Sequence, residues 1–197
     1  MNSEEQIRHI LQKQDGIITT ADALQHNISK PVFLDNVRKM GLEKLAHGIY
    51  ASKDAWPDFF RQLQMQYTNI VFSHESALYL HGFAEREPMP VSITVKRGYH
   101  SLGMEKYDVK LYYVSLDKLT IGLAEKVSPA GYMVRCYNME RTLCDLLRSR
   151  STVDYQELTN AFKTYARSKD KNIPLLMRYG EIFRVSKKLK SYLEVLL

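Results

Sequence analysis

The sequence predicts an α+β chain: a small helix–turn–helix unit with a β-hairpin, then a larger mixed α/β domain that ends in helices. Three observations predict it. Between Thr19 and Ala51 the caps, apolar spacings and turn residues run helix, turn, helix, hairpin. From Ile70 to Tyr137, short strand-like runs rich in Val, Ile, Tyr and Phe are interspersed with helical stretches. Beyond Asn138 the apolar residues recur only at helical spacing.

Ser3 and Gln6 stand at capping-box spacing and open a helix through Gln14 that buries Ile7, Ile10 and Leu11. Asp15-Gly16 ends it, and Ile17-Ile18 adds a short strand against the hairpin. Thr19 or Thr20 caps the next helix, through Gln25, by supplying an oxygen to a free backbone N–H. Asn27 to Ser29 form the turn. Ser29 caps the following helix, and Pro31 sits in its first turn, where a missing N–H costs nothing. Phe33, Val37 and Met40 make one buried stripe, and Gly41 is the stop signal. Leu42 to Ala46 and Ile49 to Ala51 are strands joined through His47-Gly48. That order is the layout of a winged helix-turn-helix.

In such a unit the second helix fits the major groove of DNA, with residues near its N-terminus at the base edges. Opposite the Phe33 stripe lie Lys30, Val32, Asp35, Asn36 and Lys39, and Ser29 at the helix start joins them as a DNA-binding candidate. Asn36 is suited to bidentate pairing with adenine, and Lys30, Arg38 and Lys39 to phosphates or guanine. Lys44 and His47 on the hairpin are expected beside the backbone or a minor groove. The competing use of the same layout is a scaffold for protein contacts.

Residues 1–27 hold two cations against four acids, and residues 28–48 hold four against two. The first domain is therefore neutral but polarised, which suits a basic face turned to DNA. The whole chain carries a formal charge of +6 with a pI near 9.2, so the excess belongs to the rest of the chain. An anionic polymer or a plain solvated surface accounts for it equally. With 45% hydrophobic and 25% charged residues the chain is an ordinary globular one. No apolar run approaches the roughly 20 residues of a membrane span. The acidic, amphipathic start is unlike a signal peptide. Two cysteines, Cys136 and Cys144, are too few for a disulfide scaffold and suggest a reducing, cytoplasmic setting.

Ser52 to Pro57 reads as the connection, dividing the chain into residues 1–55 and 56–197. Trp56 is expected to pack at the junction, and Pro57 to start a helix from Phe59 to Tyr67. Ile70 to Phe72 is a short strand, after which Ser73 caps a helix from His74 to His81, stopped by Gly82. These two histidines are seven residues apart, about 10 Å along a helix at ~1.5 Å per residue, too far to share one ion; hydrogen-bonded structural histidines are the better reading. Val91 to Lys96 alternates as a half-buried strand, and Lys96-Arg97-Gly98 turns it. Tyr107 to Val114 and Tyr132 to Tyr137 are further strands, with residues 115–131 a loop holding one helical turn. Asn138 caps the helix Met139 to Arg148, which buries Met139, Leu143, Leu146 and Leu147. Its polar side carries Glu140, Arg141, Cys144, Asp145 and Arg148; as an exposed i, i+4 pair, Arg141 and Asp145 are worth only a few tenths of a kcal/mol. Asp154 and Glu157 cap a helix facing Tyr155, Leu158, Phe162 and Tyr165 inward. Pro174 begins another, with Leu175, Leu176, Tyr179 and Phe183 inward, and Ser186 caps a last one bearing Leu189, Leu193 and Leu196. Lys187, Lys188 and Lys190 give that last helix a basic face.

No phosphate-cradling glycine loop, no cysteine spacing of a zinc site and no Ser-centred elbow occurs. Asp108-Val109-Lys110, after Glu105, has the D-x-K form of some nuclease centres, a short match that chance readily supplies. Catalysis is not expected, nor is a cofactor or a metal.

Three separated stretches, GLEKLAHGIYA, VFSHESALYLHGF and NMERTLCDLLRSR, occur in that order. Together they resemble the AbiEi antitoxins of type IV, abortive-infection toxin–antitoxin systems, over nearly the whole chain. The resemblance implies an N-terminal winged helix that represses its own operon by binding repeats, inverted or direct, in its promoter. It also implies a C-terminal antitoxin domain that opposes a nucleotidyltransferase-like toxin without a stable complex. The resemblance marks His74, Ser76, His81, Gly82, Arg97, Arg141, Thr142 and Asp145 as matched positions; His74, Ser76, His81, Arg97, Arg141, Asp145 and Arg148 are the candidates for that second domain. The alternatives are a nuclease-type enzyme using Asp108 and Lys110, and a plain transcriptional regulator with a sensory second domain.

Overall fold

The computed structural model describes residues 2–55, 58–100, 103–149 and 153–196. Trp56 and Pro57, expected at the junction, lie outside the described residues, as does the side chain of Leu196. The chain is mixed α/β with a helical C-terminal part. It divides into two compact units, Met1–Thr68 and Asn69–Leu197.

In the first unit, helix α1 (Ser3–Lys13) is capped by Asn2, which accepts from Glu5 N while Glu5 accepts from Asn2 N. The capping box is thus Asn2/Glu5 and not Ser3/Gln6. Strand β1 (Ile17–Thr19) leads into α2 (Thr20–Gln25), where Thr19 and Asp22 form a second reciprocal cap. Helix α3 (Lys30–Lys39) begins after Ser29 and ends before Gly41. Strands β2 (Glu43–Ala46) and β3 (Ile49–Ala51) complete an antiparallel sheet in the order β1-β3-β2. Ile7, Ile10, Ile18, Ala23, Ile28 and Phe33 form the core, with Phe33 edge-on to Tyr50 at 5.4 Å. Each buried Ile or Phe side chain contributes roughly 1.5–3 kcal/mol on leaving water.

Gly16 shows how closely the chain closes on itself. At φ +82°, a Cβ there would stand 2.4 Å from Ser52 Oγ and 2.9 Å from Ala55 Cβ, so only glycine fits. Helix α4 (Phe59–Gln66) belongs to this unit as well. Arg61 donates to Gln14 O at 2.9 Å, Gln62 donates to Leu45 O at 3.1 Å, and Met65 packs beside Ile17, Ile49 and Ala51. The division therefore falls after Thr68, thirteen residues beyond the expected Ala55, because α4 is held by main-chain acceptors of the first unit.

The second unit is built on a five-stranded sheet of order β6-β5-β4-β8-β7. Its strands are β4 (Val71–Phe72), β5 (Val91–Lys96), β6 (Val109–Val114), β7 (Leu123–Val127) and β8 (Met133–Tyr137). β4 pairs antiparallel with β5 and parallel with β8; β5 and β6 are parallel, and β7 and β8 antiparallel. Helix α5 (His74–Leu80) links β4 to the segment before β5, and the short α6 (Leu116–Leu119) follows β6. Residues 115–131, expected as a loop, hold both α6 and β7. β5 is buried on both faces, not half-buried: Ser92 and Thr94 are as enclosed as Ile93. Their hydroxyls are satisfied, by Glu75 Oε2 at 2.7 Å and Ser73 Oγ at 2.8 Å.

Helices α7 (Met139–Arg148), α8 (Tyr155–Arg167), α9 (Ile173–Ile182) and α10 (Ser186–Leu196) complete the unit. Leu143, Leu146, Leu147, Leu158, Phe162, Leu176 and Leu189 are its core. Asn138 and Asp154 cap α7 and α8 as their positions predict. Tyr155, expected inward, is 60% exposed. No helix among the described residues is long and apolar enough to cross a membrane.

Candidate functional site

Helix α3 presents Ser29, Lys30, Val32, Arg38 and Lys39 to solvent, and the hairpin presents Lys44 and His47. Phe33 and Val37 fix this orientation by anchoring the opposite side of α3 in the core. Val32, 42% exposed, is an apolar side chain on an otherwise polar face. Ser29 starts α3 without a side-chain hydrogen bond to the helix.

Two expected contacts are altered by their surroundings. Asn36 is buried, and its Nδ2 donates to Val32 O at 2.8 Å. Its amide is engaged on its own helix and does not stand outward for pairing with a base, which corrects the expectation from spacing. Lys39 pairs with Asp35 at 2.7 Å, and that hydrogen bond raises its pKa. Pro31, Val32, Asp35 and Lys39 border a shallow groove of about 530 Å³ with the start of α1, where Glu4 stands. The net positive part of the face is therefore Lys30 and Arg38 together with Lys44 on the hairpin.

In the second unit the structure gathers His74, Arg141, Asp145 and Arg148 around α5 and α7, with Ser76 and His81 further along α5. Except for Arg148 and the partly buried His81, this cluster is interior. Arg141 and Asp145, expected on a solvated face, are 0% and 2% exposed. Arg141 Nε donates to Asp145 Oδ2 at 2.8 Å, and Nη1 donates to Lys118 O and Ile121 O at 2.8 and 2.9 Å. Its guanidinium lies between the rings of Tyr137 and Phe183, at 4.1 and 3.9 Å. Gly122 permits this approach, since a Cβ there would be 2.6 Å from Arg141 Cβ. Arg148 is at the surface, 3.6 Å from Asp145. Burial lifts the Asp145 pKa despite both arginines.

His74 is buried with φ +50°, in the left-handed region. Nδ1 lies 3.0 Å from Ser73 Oγ and Nε2 3.1 Å from Ser149 Oγ, and the ring stacks on Tyr112 at 3.5 Å. Burial, then the charges of Lys110, Arg141 and Arg148, hold its pKa well below 6.5. Ser76 Oγ accepts from Ser92 N at 2.7 Å, and His81 Nε2 lies 2.9 Å from Tyr137 O. Thr142 donates back to Asn138 O at 2.8 Å. Ser76 and His81 tie α5 to the sheet, while Thr142 bonds back one turn on α7. Arg97 stands apart, exposed at the end of β5.

Lys110 pairs with Glu75 at 3.6 Å and lies over Tyr112, while Asp108 is exposed. Among the described residues no three His, Cys, Asp or Glu side chains converge to hold an ion. Both cysteines are buried thiols, pushed up to about 12 by desolvation. Spacing alone missed the aromatic sandwich on Arg141, the double burial of β5 and the hairpin of β7. The one signal for the sandwich was a glycine, Gly122, ahead of α7.

No family model matches the chain, and no curated protein does. The fold is similar to the crystal structure of the RV2827C protein from Mycobacterium tuberculosis, with a TM-score of 0.60 and 15% identity. That match covers 89% of this chain and 69% of the other. At this identity the likeness is one of fold.

Proposed function

We propose that the chain is a DNA-binding repressor of its own operon and the antitoxin of a type IV toxin–antitoxin pair. In this reading the first unit is a winged helix-turn-helix. The observation that carries it is the exposed face of α3, bearing Lys30, Val32 and Arg38, beside a hairpin that exposes Lys44 and His47. An α-helix with free cations and a projecting two-strand wing suits the major groove and the flanking backbone. The antitoxin half rests on the three matched stretches and their order. A nuclease reading is less favoured, since Lys110 is paired with Glu75 and Asp108 stands apart in solvent.

A gel shift on the chain's own promoter tests the first half. Lys30→Ala and Arg38→Ala should each weaken binding, and unchanged affinity of both at physiological salt would refute the groove assignment. Growth rescue tests the second half: the whole chain should relieve the toxicity of an adjacent nucleotidyltransferase-like gene, and residues 69–197 should do so without repressing. Purified protein with DNA and Mg²⁺ should leave the substrate intact.

A further inference from the structure

On the outer strand of the second sheet lies a groove of about 500 Å³, within the size range of small-ligand sites. Its floor is one face of β6, where Val109, Leu111 and Tyr113 alternate at period two. Tyr99, His100 and Tyr107 stand around that floor, so four of the eight lining residues carry flat rings. Tyr113 is 47% exposed, a large ring held open at a sheet edge.

Cations flank these rings. Arg97 is exposed just past β5, and its N–H donates to Val114 O at 2.7 Å, which sets its backbone at the end of β6, one residue from Tyr113; Lys96, opposite Val114, belongs to the other face. Lys106 is exposed next to Tyr107. Glu105 also lines the groove, as an acceptor for N–H donors. An aliphatic side chain would be served by an aliphatic well, but only Val109 and Leu111 supply a floor of that kind, Met104 being buried. Rings with adjacent cations are what a base and its phosphate need: the π-face stacks and the charge meets the backbone. Because β6 is the last strand of its sheet, a passing strand has an open side.

We propose that this groove binds an unpaired nucleobase of a single-stranded nucleic acid, with Tyr113 as the stacking face and Arg97 and Lys106 on the phosphates. The site is independent of the duplex contact assigned to α3, and either can fail without the other.

The test uses the full chain and fluorescein-labelled oligo(U) and oligo(dT) of about twelve nucleotides, followed by anisotropy at low salt. Wild type should bind a single strand. Tyr113→Ala should weaken that binding about five- to 160-fold, the range of one lost base stack. Tyr113→Phe should keep it, and the fluorescence of Tyr113→Trp should be quenched on binding. Tighter oligo(U) assigns the natural ligand to RNA, and tighter oligo(dT) to DNA. Lys30→Ala should leave single-strand affinity intact. Since Tyr113 is half in solvent, thermal melts of its variants should match wild type, which separates lost stacking from lost folding. Absent single-strand binding, unchanged affinity in Tyr113→Ala, or an equal loss on a twelve-pair duplex would each overturn the proposal.

Discussion

Arg141 shows how far one side chain departs from its reading in isolation. As part of an i, i+4 pair with Asp145 it looks like a solvated ion pair, because sequence spacing carries no information about what covers a helix face. In the fold both charges are enclosed, and removing Arg141 leaves the buried Asp145 with only the exposed Arg148 at 3.6 Å; breaking a buried pair in this way typically costs about 3–5 kcal/mol. Arg141→Ala should therefore lower the urea midpoint by a corresponding amount. Arg141→Lys should not rescue it, since one ammonium cannot replace both the Asp145 contact and the two carbonyl contacts made by a planar fork. Arg141→Met combined with Asp145→Leu should be no less stable than Arg141→Met alone; a further loss would show that Asp145 is held by something else. His74 gives a pH dependence. Its folded pKa is well below 6.5 while the unfolded group titrates near 6.5, so the unfolded chain binds the extra proton. The stability held above about pH 6.5 is lost as pH falls toward the folded value. His81, also lowered by burial, adds in the same direction. Asp145, raised from 3.8, acts in the opposite sense within its own window above that value. Melting temperature should fall between pH 7.5 and 5.5, and His74→Gln should flatten that slope.

At the scale of elements, the helices were legible where a cap announced them. Asn138 and Asp154 open α7 and α8 with side chains that accept from backbone N–H groups, and Asp154→Ala should cost about 1 kcal/mol in denaturant unfolding. Strands were legible only where they bury an apolar face. β7, Leu-Ala-Glu-Lys-Val, is an exposed edge with no fully buried residue, so its pattern could not distinguish it from a loop. β5 failed in the other direction: Ser92 and Thr94 mimic a wet face, yet they are satisfied by hydroxyl and carboxylate partners under α5. On α3, Lys30, Val32, Asp35 and Lys39 are exposed where their spacing places them, whereas Asn36 is buried and its amide bonds back one turn. Asn36→Ala should accordingly reduce the stability of the first unit while leaving duplex affinity per folded molecule unchanged. A base-specific loss of affinity would instead return Asn36 to the groove.

Across the whole molecule, charge is divided more sharply than the total of +6 conveys. Residues 1–68 hold eight cations and eight acids, so residues 69–197 carry the entire excess. Within them, residues 158–197 hold nine cations against three acids. All nine are exposed, and among the described residues none is held in an ion pair. A duplex bound by the first unit alone meets at most Lys30, Arg38, Lys39 and Lys44 of the candidate interface. Each neutralised phosphate contributes a slope of about −0.9 to log K against log salt, so that unit alone should show a slope no steeper than roughly −4. If the C-terminal helices also reach the phosphates, the full chain must be steeper by about one unit per added contact. Replacing Lys187, Lys188 and Lys190 with Gln should then reduce the full-chain slope while preserving the preference for the promoter sequence. Equal slopes for the full chain and residues 1–68 would confine DNA contact to the first unit and leave the C-terminal cations to another partner.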